Sequence, residues 1–310
     1  MKKTFFLLTL ALSLFFAGGC GQEKNSKHQP PENTVKGFEI TLPKPPEKII
    51  SLTLATDEIL VSMVEPQRIR ALSCKYADVD SICNVSEAAK NFEKAEDNIE
   101  HIVAMNPDLV FTASWMSDEK IQQLRDAGVP VYCYKMPSNI QDERELLAEI
   151  AALVGEEEKG VLMAAEMDRV LANVAEKISS VREEDRFTVL MYDPHGGIAM
   201  FSDIAEKAGV VNIFDRAGVT SWGNLSKEKI VELNPDIFIV PHWGSRDTEK
   251  YIGEILSDPG FSTVNAVRNK RIYSLPSKHI NCLSQYVVYG VDDLAKAAYP
   301  EMFKNKQLRK

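Results

Sequence analysis

The sequence predicts an α/β fold of two Rossmann-like lobes, each built on a parallel sheet, joined by one long backbone helix. Three observations carry that reading. One stretch occurs twice, as EHIVAMNPDLV at residues 100–110 and EKIVELNPDIF at residues 228–238. Each copy sets a glutamate, an Ile-Val pair and Asn-Pro-Asp ahead of a β-rich apolar run. Continuously apolar, strand-like segments also alternate with helical ones in both halves, which indicates parallel sheets covered on both faces. Finally, residues 156–181 contain no proline and carry Met167, Val170, Leu171, Val174, Ile178 and Val181 at helical spacing. At ~1.5 Å per residue such a helix is roughly 37 Å long, a spine that limits hinge motion between lobes.

The amino terminus reads as a targeting segment. Lys2-Lys3 precede an apolar run over residues 4–17 that ends at Gly18-Gly19-Cys20. The run is shorter than the ~18–20 residues that span a bilayer, and it ends in small residues as a secretory signal does. Its Ala-Gly-Gly-Cys ending resembles a bacterial lipoprotein box, which implies lipidation of Cys20; an ordinary secretory signal is the competing reading. The expected boundaries are a signal peptide over 1–19, Cys20 and a flexible tether over 20–45, a lobe over 46–138, connecting helices over 139–182 and a second lobe over 183–310. A length of 310 residues accommodates two cores, and 45% hydrophobic with 26% charged residues is ordinary for a soluble globular chain. The net charge of −9 becomes two units more negative without Lys2 and Lys3. An acidic chain with no basic run argues against nucleic acid as a partner and, more weakly, against a strongly anionic ligand.

In chain order, GFEITLP fits an edge strand, KIISLTL (48–54) a buried strand, ATDEILVSMV a helix and RIRALS a strand. Residues 73–96 read as a long polar loop. In each repeat copy a short helix comes first, with Asn98 and Ser226 as N-caps and Glu100 and Glu228 at the second helical position. Pro107 and Pro235 end those helices, and strands come next. Helix 117–127, the strand VPVYCYKM and a helix over 139–154 closed by Gly155 lead to the spine. Beyond it come RFTVLMY as a strand, SDIAEKAG as a helix, the second repeat copy, helix 247–257, a turn near 261–267, the strand RIYSLP and one final helix from about Asn281 to the end. Cys74 and Cys83 flank a short loop and form the best-placed pair for a local disulfide in an exported chain. Cys133 fits a buried thiol, and no cysteine pair has zinc-ligand spacing.

Together the leader, SLTLATDEIL, the duplicated glutamate-to-NPDLV unit, the spine and the terminal DLAKAAYPEMF resemble the solute-binding lipoproteins of ABC importers for ferric siderophores, haem and cobalamin. These are the class III, helical-backbone periplasmic binding proteins, and the similarity covers about residues 45–303. The resemblance implies a monomeric receptor outside the cytoplasm, lipid-anchored to the membrane, that delivers a metal chelate to a permease dimer with its ATPase. It implies no catalytic activity and no resident cofactor. It further implies that Glu100 and Glu228 dock onto permease arginines, which is physically sensible for two carboxylates facing a two-fold symmetric partner. Simple complementation of the helix dipole explains the same glutamates more modestly. The early loop departs from the family pattern, with Leu54 where proline is frequent and Asp57 where threonine is frequent; Glu58 matches.

Ligands of open parallel sheets bind outside the carboxyl ends of the strands. That rule nominates Thr53, Leu54, Ala55, Lys75, Tyr76, Ser114, Trp115 and Met116 in the first lobe. In the second it nominates Asp193, His195, Trp222, His242, Trp243, Arg246, Lys278 and His279. Among these, Thr53, Tyr76, Trp115, Met116, Trp222, His242, Trp243, Arg246 and His279 form the expected ligand set. The tryptophans offer stacking area, although loop packing uses them as often. His242 and His279 are candidate axial ligands to haem iron or cobalt, with Tyr76 and Met116 behind them, although a lone loop histidine is more often an ordinary surface residue. The chain has no G-x-S-x-G, no H-E-x-x-H and no phosphate loop, so His195 beside Asp193 lacks an evident nucleophile. Capture of a bare zinc or manganese ion by His101, His195, His242 and His279 is the alternative binding reading, although no familiar spacing joins them. A scaffolding lipoprotein without a cleft ligand is a third.

Overall fold

The chain folds around two parallel sheets. In the first lobe β1 (Ile49–Ser51), α1 (Leu54–Met63), β2 (Ile69–Ser73), α2 (Ser86–Ala89), β3 (Glu93–Ala95), α3 (Ile99–Ala104), β4 (Leu109–Ala113), α4 (Asp118–Asp126) and β5 (Val131–Tyr134) succeed one another. Their strands lie in the order β3-β2-β1-β4-β5, every pair parallel. Next come α5 (Ile140–Val154) and α6 (Glu157–Lys177). The second lobe runs β6 (Thr188–Met191), α7 (Met200–Lys207), β7 (Val211–Asn212), α8 (Ile213–Arg216), α9 (Lys227–Leu233), β8 (Ile237–His242), α10 (Ser245–Ser257), α11 (Asn265–Arg268), β9 (Ile272–Pro276), α12 (Ser277–Ile280), α13 (Val287–Ala298) and α14 (Pro300–Phe303). Its order is β7-β6-β8-β9, again all parallel. This computed structural model describes residues 40, 42–73, 75–96, 98–192, 199–218, 225–243 and 245–304, without the side chains of 245–247. All of them fall in one compact unit, Val35–Lys310.

Side-chain alternation explains why the strands are apolar on both faces. Ile49, Leu109, Phe111, Tyr132 and Tyr134 point into a core shared with α5, α6 and the second lobe, where Val189, Met191, Ile237 and Ile239 meet it. Their neighbours Ile50, Val110, Val131 and Cys133 turn to a separate cluster under α3 and α4. Leu190, Phe238 and Val240 do the same in the second lobe. A period of two with both faces covered yields the continuous apolar runs seen in the sequence. The spine α6 buries Met167, Val170 and Val174 against this shared core. A Cβ on Gly160 would come within 2.6 Å of the Ala151 side chain, so the close approach of α5 and α6 requires glycine there.

The repeated unit has a definite structural logic. Asn98 accepts a hydrogen bond from the His101 amide (2.9 Å), and Ser226 accepts one from the Lys229 amide (3.2 Å), so both expected N-caps form. Asn106 and Asn234 both take left-handed backbone, at φ 49°, which ends each helix before its proline. The aspartate then fastens the neighbouring strand. Asp108 accepts from the Glu47 and Lys48 amides (2.9 and 2.8 Å) at the start of β1. Asp236 accepts from the Thr188 amide and hydroxyl (2.9 and 2.8 Å) at the start of β6, and from the Asn265 side chain (3.0 Å).

Several expectations need correction. The spine is 21 residues long, ending at Lys177, because Ile178 leaves helical geometry before Val181. Residues 73–96 are not only loop: they hold α2 and the edge strand β3, whose Glu-Lys-Ala carries too little apolar signal to be read as a strand. Strand β7, two residues long, has no counterpart in the sequence reading. The final helix is broken, since Ser277–Ile280, Val287–Ala298 and Pro300–Phe303 are separate and Pro300 interrupts the amide ladder. Ile40, Leu42 and Pro43 are the described residues of GFEITLP, and none is in a strand. Cys83 is a free, buried thiol, and Cys74, its expected partner, lies outside the described residues. Burial together with the nearby Glu58 carboxyl pushes the Cys83 thiol up to about 12.

Candidate functional site

In the first sheet, β1 has β2 on one side and β4 on the other, so the chain reverses its direction of winding between β1 and β4. The carboxyl ends of those strands open onto a cavity of about 360 Å³. That is within the usual range for a small-molecule cleft and at the place where doubly wound sheets bind ligands. Every strand of the sheet contributes: Leu52 and Thr53 after β1, Ser73 from β2, Ala95 from β3, Trp115 and Met116 after β4, and Tyr134 and Met136 at β5. Lys75, Tyr76 and Ile82 come from the loop after β2, and Asn281, Cys282 and Leu283 close the cavity from the second lobe. Trp115 and Tyr76 stand at the rim, 57% and 48% exposed. Among the described lining residues, Lys75 and Glu58 are the only Lys, Arg, Asp or Glu side chains, and the rest are apolar or neutral.

The wall behind the cavity is polar and tightly bonded. Thr53 caps α1 through the Thr56 amide (3.2 Å) and bonds the hydroxyls of Thr56 (2.8 Å) and Tyr134 (2.7 Å). One turn thereby ties β1, α1 and β5 together. Asp57 is fully buried and accepts from the Ser73 amide (3.0 Å) and hydroxyl. Burial pushes its carboxyl up to about 7, outweighing those hydrogen bonds. Glu58 is raised too, with burial again the leading cause despite four donors. Glu143 on α5 has both oxygens buried without a hydrogen-bond partner, and burial plus the charges of Glu58 and Asp142 hold it well above the carboxylate range.

Of the expected ligand set, Thr53, Tyr76, Trp115 and Met116 line the cavity, as do Leu54, Ala55 and Lys75. Ser114 is exposed beyond β4 and does not. His242, Trp243 and His279 do not line it either. The His242 ring bonds the Thr248 hydroxyl (3.2 Å), and the Trp243 carbonyl accepts from Ser81 (2.9 Å). His279 is held by Asp293 (2.7 Å) and packs on Tyr289. Lys278 pairs with Asp80 (3.3 Å). For Lys278 and His279 the strand-end rule overreached because α12 starts directly after β9 and turns these two side chains onto the loop after β2 and onto α13; after β8 the His242 ring is taken up by α10. Trp222, Asp193, His195 and Cys20 lie outside the described residues, as does the side chain of Arg246. Among the described residues no group of three or more His, Cys, Asp or Glu side chains is arranged to hold a metal ion.

Tyr134, Met136 and Ser73 were missed although the strand-end rule applied to β5 and β2 would have reached them; Ala95 ends β3, which the sequence does not mark as a strand. Residues 281–283 come after a helix, and no strand end in the sequence marks them. Glu100 and Glu228 are both exposed at the second position of α3 and α9. The helix-start amide and the Ser226 hydroxyl hold the Glu228 carboxyl below its ordinary value.

Residues 49–279 match the periplasmic binding protein family. The chain belongs to that family. Its two parallel-sheet lobes on a helical backbone are the family's class III architecture. A Bacillus subtilis protein named as an uncharacterized ABC transporter substrate-binding lipoprotein, YvrC, is 24% identical, with 98% of this chain and 99% of that one covered. The iron-uptake system-binding protein of the same organism is 23% identical over 88% of this chain and 90% of its own. Among solved structures, molybdate-bound MolA of Haemophilus influenzae superimposes with a TM-score of 0.71 at 20% identity, covering 86% of this chain and 90% of that one. Among the described residues no helix is long and apolar enough to cross a membrane.

Proposed function

We propose that this periplasmic binding protein is the substrate-binding lipoprotein of an ABC importer, anchored outside the cytoplasm through lipidated Cys20. It captures a bulky metal chelate in the cavity at the strand ends of the first lobe and passes it to a permease dimer with its ATPase. Ferric siderophore, cobalamin or another corrinoid, and haem are the chelate classes that fit. The observation that carries this reading is the cavity itself: at the winding switch of the sheet, apolar within and aromatic at the rim through Tyr76 and Trp115. Such a lining suits a large ligand with flat apolar faces. Among the described lining residues Lys75 is the one cation, a poor match for a bare oxyanion such as the one bound by MolA. The carrier works as a monomer, with Glu100 and Glu228 as its two docking points on the permease.

The direct test is the absorption spectrum and mass of the small molecule that co-purifies with the protein, followed by thermal-shift titration with one member of each chelate class. Binding of one class raises the melting temperature in proportion to the logarithm of its concentration. A protein carrying stoichiometric zinc or manganese and no chromophore would replace this reading with bare-ion capture.

A further inference from the structure

Among the described residues Glu58 is the one carboxyl that lines the cavity, and it also joins the lobes. Its Oε1 accepts from the backbone amide (2.6 Å) and side-chain amide (2.9 Å) of Asn84, in the loop before α2. Its Oε2 accepts from the Cys282 thiol (3.2 Å) and the Ser284 hydroxyl, both between α12 and α13. Asn84 reaches across as well, donating to the Lys278 carbonyl (2.6 Å). The next turn of α1 repeats the bridge, since Ser62 bonds Gln285 (3.1 Å) and the Tyr286 hydroxyl (3.0 Å). Residues 281–283 wall the cavity, so the group that fixes them against α1 also fixes its width.

We propose that the Glu58 carboxyl is a positioning residue of the ligand cavity, holding residues 281–283 of the second lobe against the strand ends of the first when neutral and loosening them when ionised. The chemistry of its four donors supports this. The two Asn84 groups are fixed donors, whereas the Ser284 hydroxyl and Cys282 thiol rotate and also accept. A proton on Oε2 is therefore accommodated by turning the Ser284 hydroxyl to accept, and every bond across the lobes survives. Loss of that proton leaves a buried negative charge facing Asp57 on its own helix, Glu143 from α5, Cys83 from the loop before α2, and Cys282 and Tyr286 from the second lobe. None of these groups is a cation; Lys75, on the loop after β2, is the described cation that shares the cavity lining with Glu58. The ionised carboxyl gains most by admitting water along the cavity edge, which separates 281–283 from α1.

The consequence for uptake rests on the cavity being the ligand site; the positioning itself is tested without any ligand. The test is hydrogen exchange on the full-length protein from pH 5 to pH 9, with exchange times scaled for the intrinsic pH dependence. In the wild type, protection of amides 281–287 should fall at least tenfold through one titration, while β9 stays unchanged. Glu58→Gln, neutral at every pH, should keep the low-pH protection throughout. Asp57→Asn and Glu143→Gln should keep the titration with a shifted midpoint. Wild-type protection that is flat with pH, or a Glu58→Gln profile identical to the wild type, would overturn the proposal. If Glu58→Gln does not fold, Ser284→Ala decides: loss of the hydroxyl that bonds Oε2 in both forms must move the midpoint, and an unmoved midpoint refutes the role. A failure of chelate binding would leave these protections untouched, so the two readings fail separately.

Discussion

Asn106 and Asn234 adopt the same left-handed turn, and Asp108 and Asp236 each fasten the strand beside their own. The surroundings of the two units differ. The first lobe lines the cavity at the ends of all five strands and buries Asp57 and Glu58, with Glu143 of α5 beside them; the second supplies 281–283 and, among its described residues, no buried acid. The repeat therefore builds both lobes and presents one glutamate from each, while the segments outside it decide where the ligand sits. The fold is symmetric, and on the proposed reading docking is symmetric too while ligand binding is not.

The largest expected effect of that asymmetry is on stability against pH. Asp57 binds its proton more tightly folded than unfolded, its carboxyl being raised from 3.8 to about 7. The stability it contributes is complete below about pH 4 and is lost as the pH climbs through about 7, roughly 4 kcal/mol for a shift of about three units. Glu58 and Glu143 act with the same sign. The urea midpoint should accordingly be lower at pH 8.5 than at pH 5, and Asp57→Asn should remove much of the difference. A stability that rises over that range would erase this contrast between the lobes.

Next in size are the two aspartate fasteners. Asp236→Ala forfeits bonds to the Thr188 amide, the Thr188 hydroxyl and Asn265, and should cost about 3 kcal/mol. Asp108→Ala loses two bonds in a more exposed setting, about 1–2 kcal/mol. Denaturant titration checks both, and equal costs would mean that the copies are closer in energy than their bonds indicate. Smallest is the rim. Trp115→Ala should weaken chelate binding at least tenfold, ~1.4 kcal/mol, while Trp243→Ala should leave it nearly unchanged. Calorimetric titration with the co-purifying chelate tests that pair, and the reverse order would move the site toward the second lobe.

The fold was legible because its signals are local. Asn98 and Ser226 cap the helices they precede, Gly155 closes α5 in left-handed geometry, and the apolar runs are strands covered on both faces. The second half of the site was not legible, because a strand end opens onto a cleft only if the next element leaves it free. Where β9 passes straight into α12, Lys278 and His279 are carried to Asp80 and Asp293, and the cavity is closed instead by 281–283. Nor does a sequence reveal that Asp57, Glu58 and Glu143, spread over two helices, meet in one buried patch. The aspartate of Asn-Pro-Asp reads in the sequence as the last letter of a motif; in the fold it holds the start of a different strand.

The division of labour is tested most directly by Glu100→Ala combined with Glu228→Ala, measured for transport into cells and for chelate affinity of the purified protein. Uptake should be abolished with affinity unchanged. Retained uptake, or affinity lost together with it, would contradict the assignment of the repeated glutamates to docking and of the unrepeated segments to the ligand.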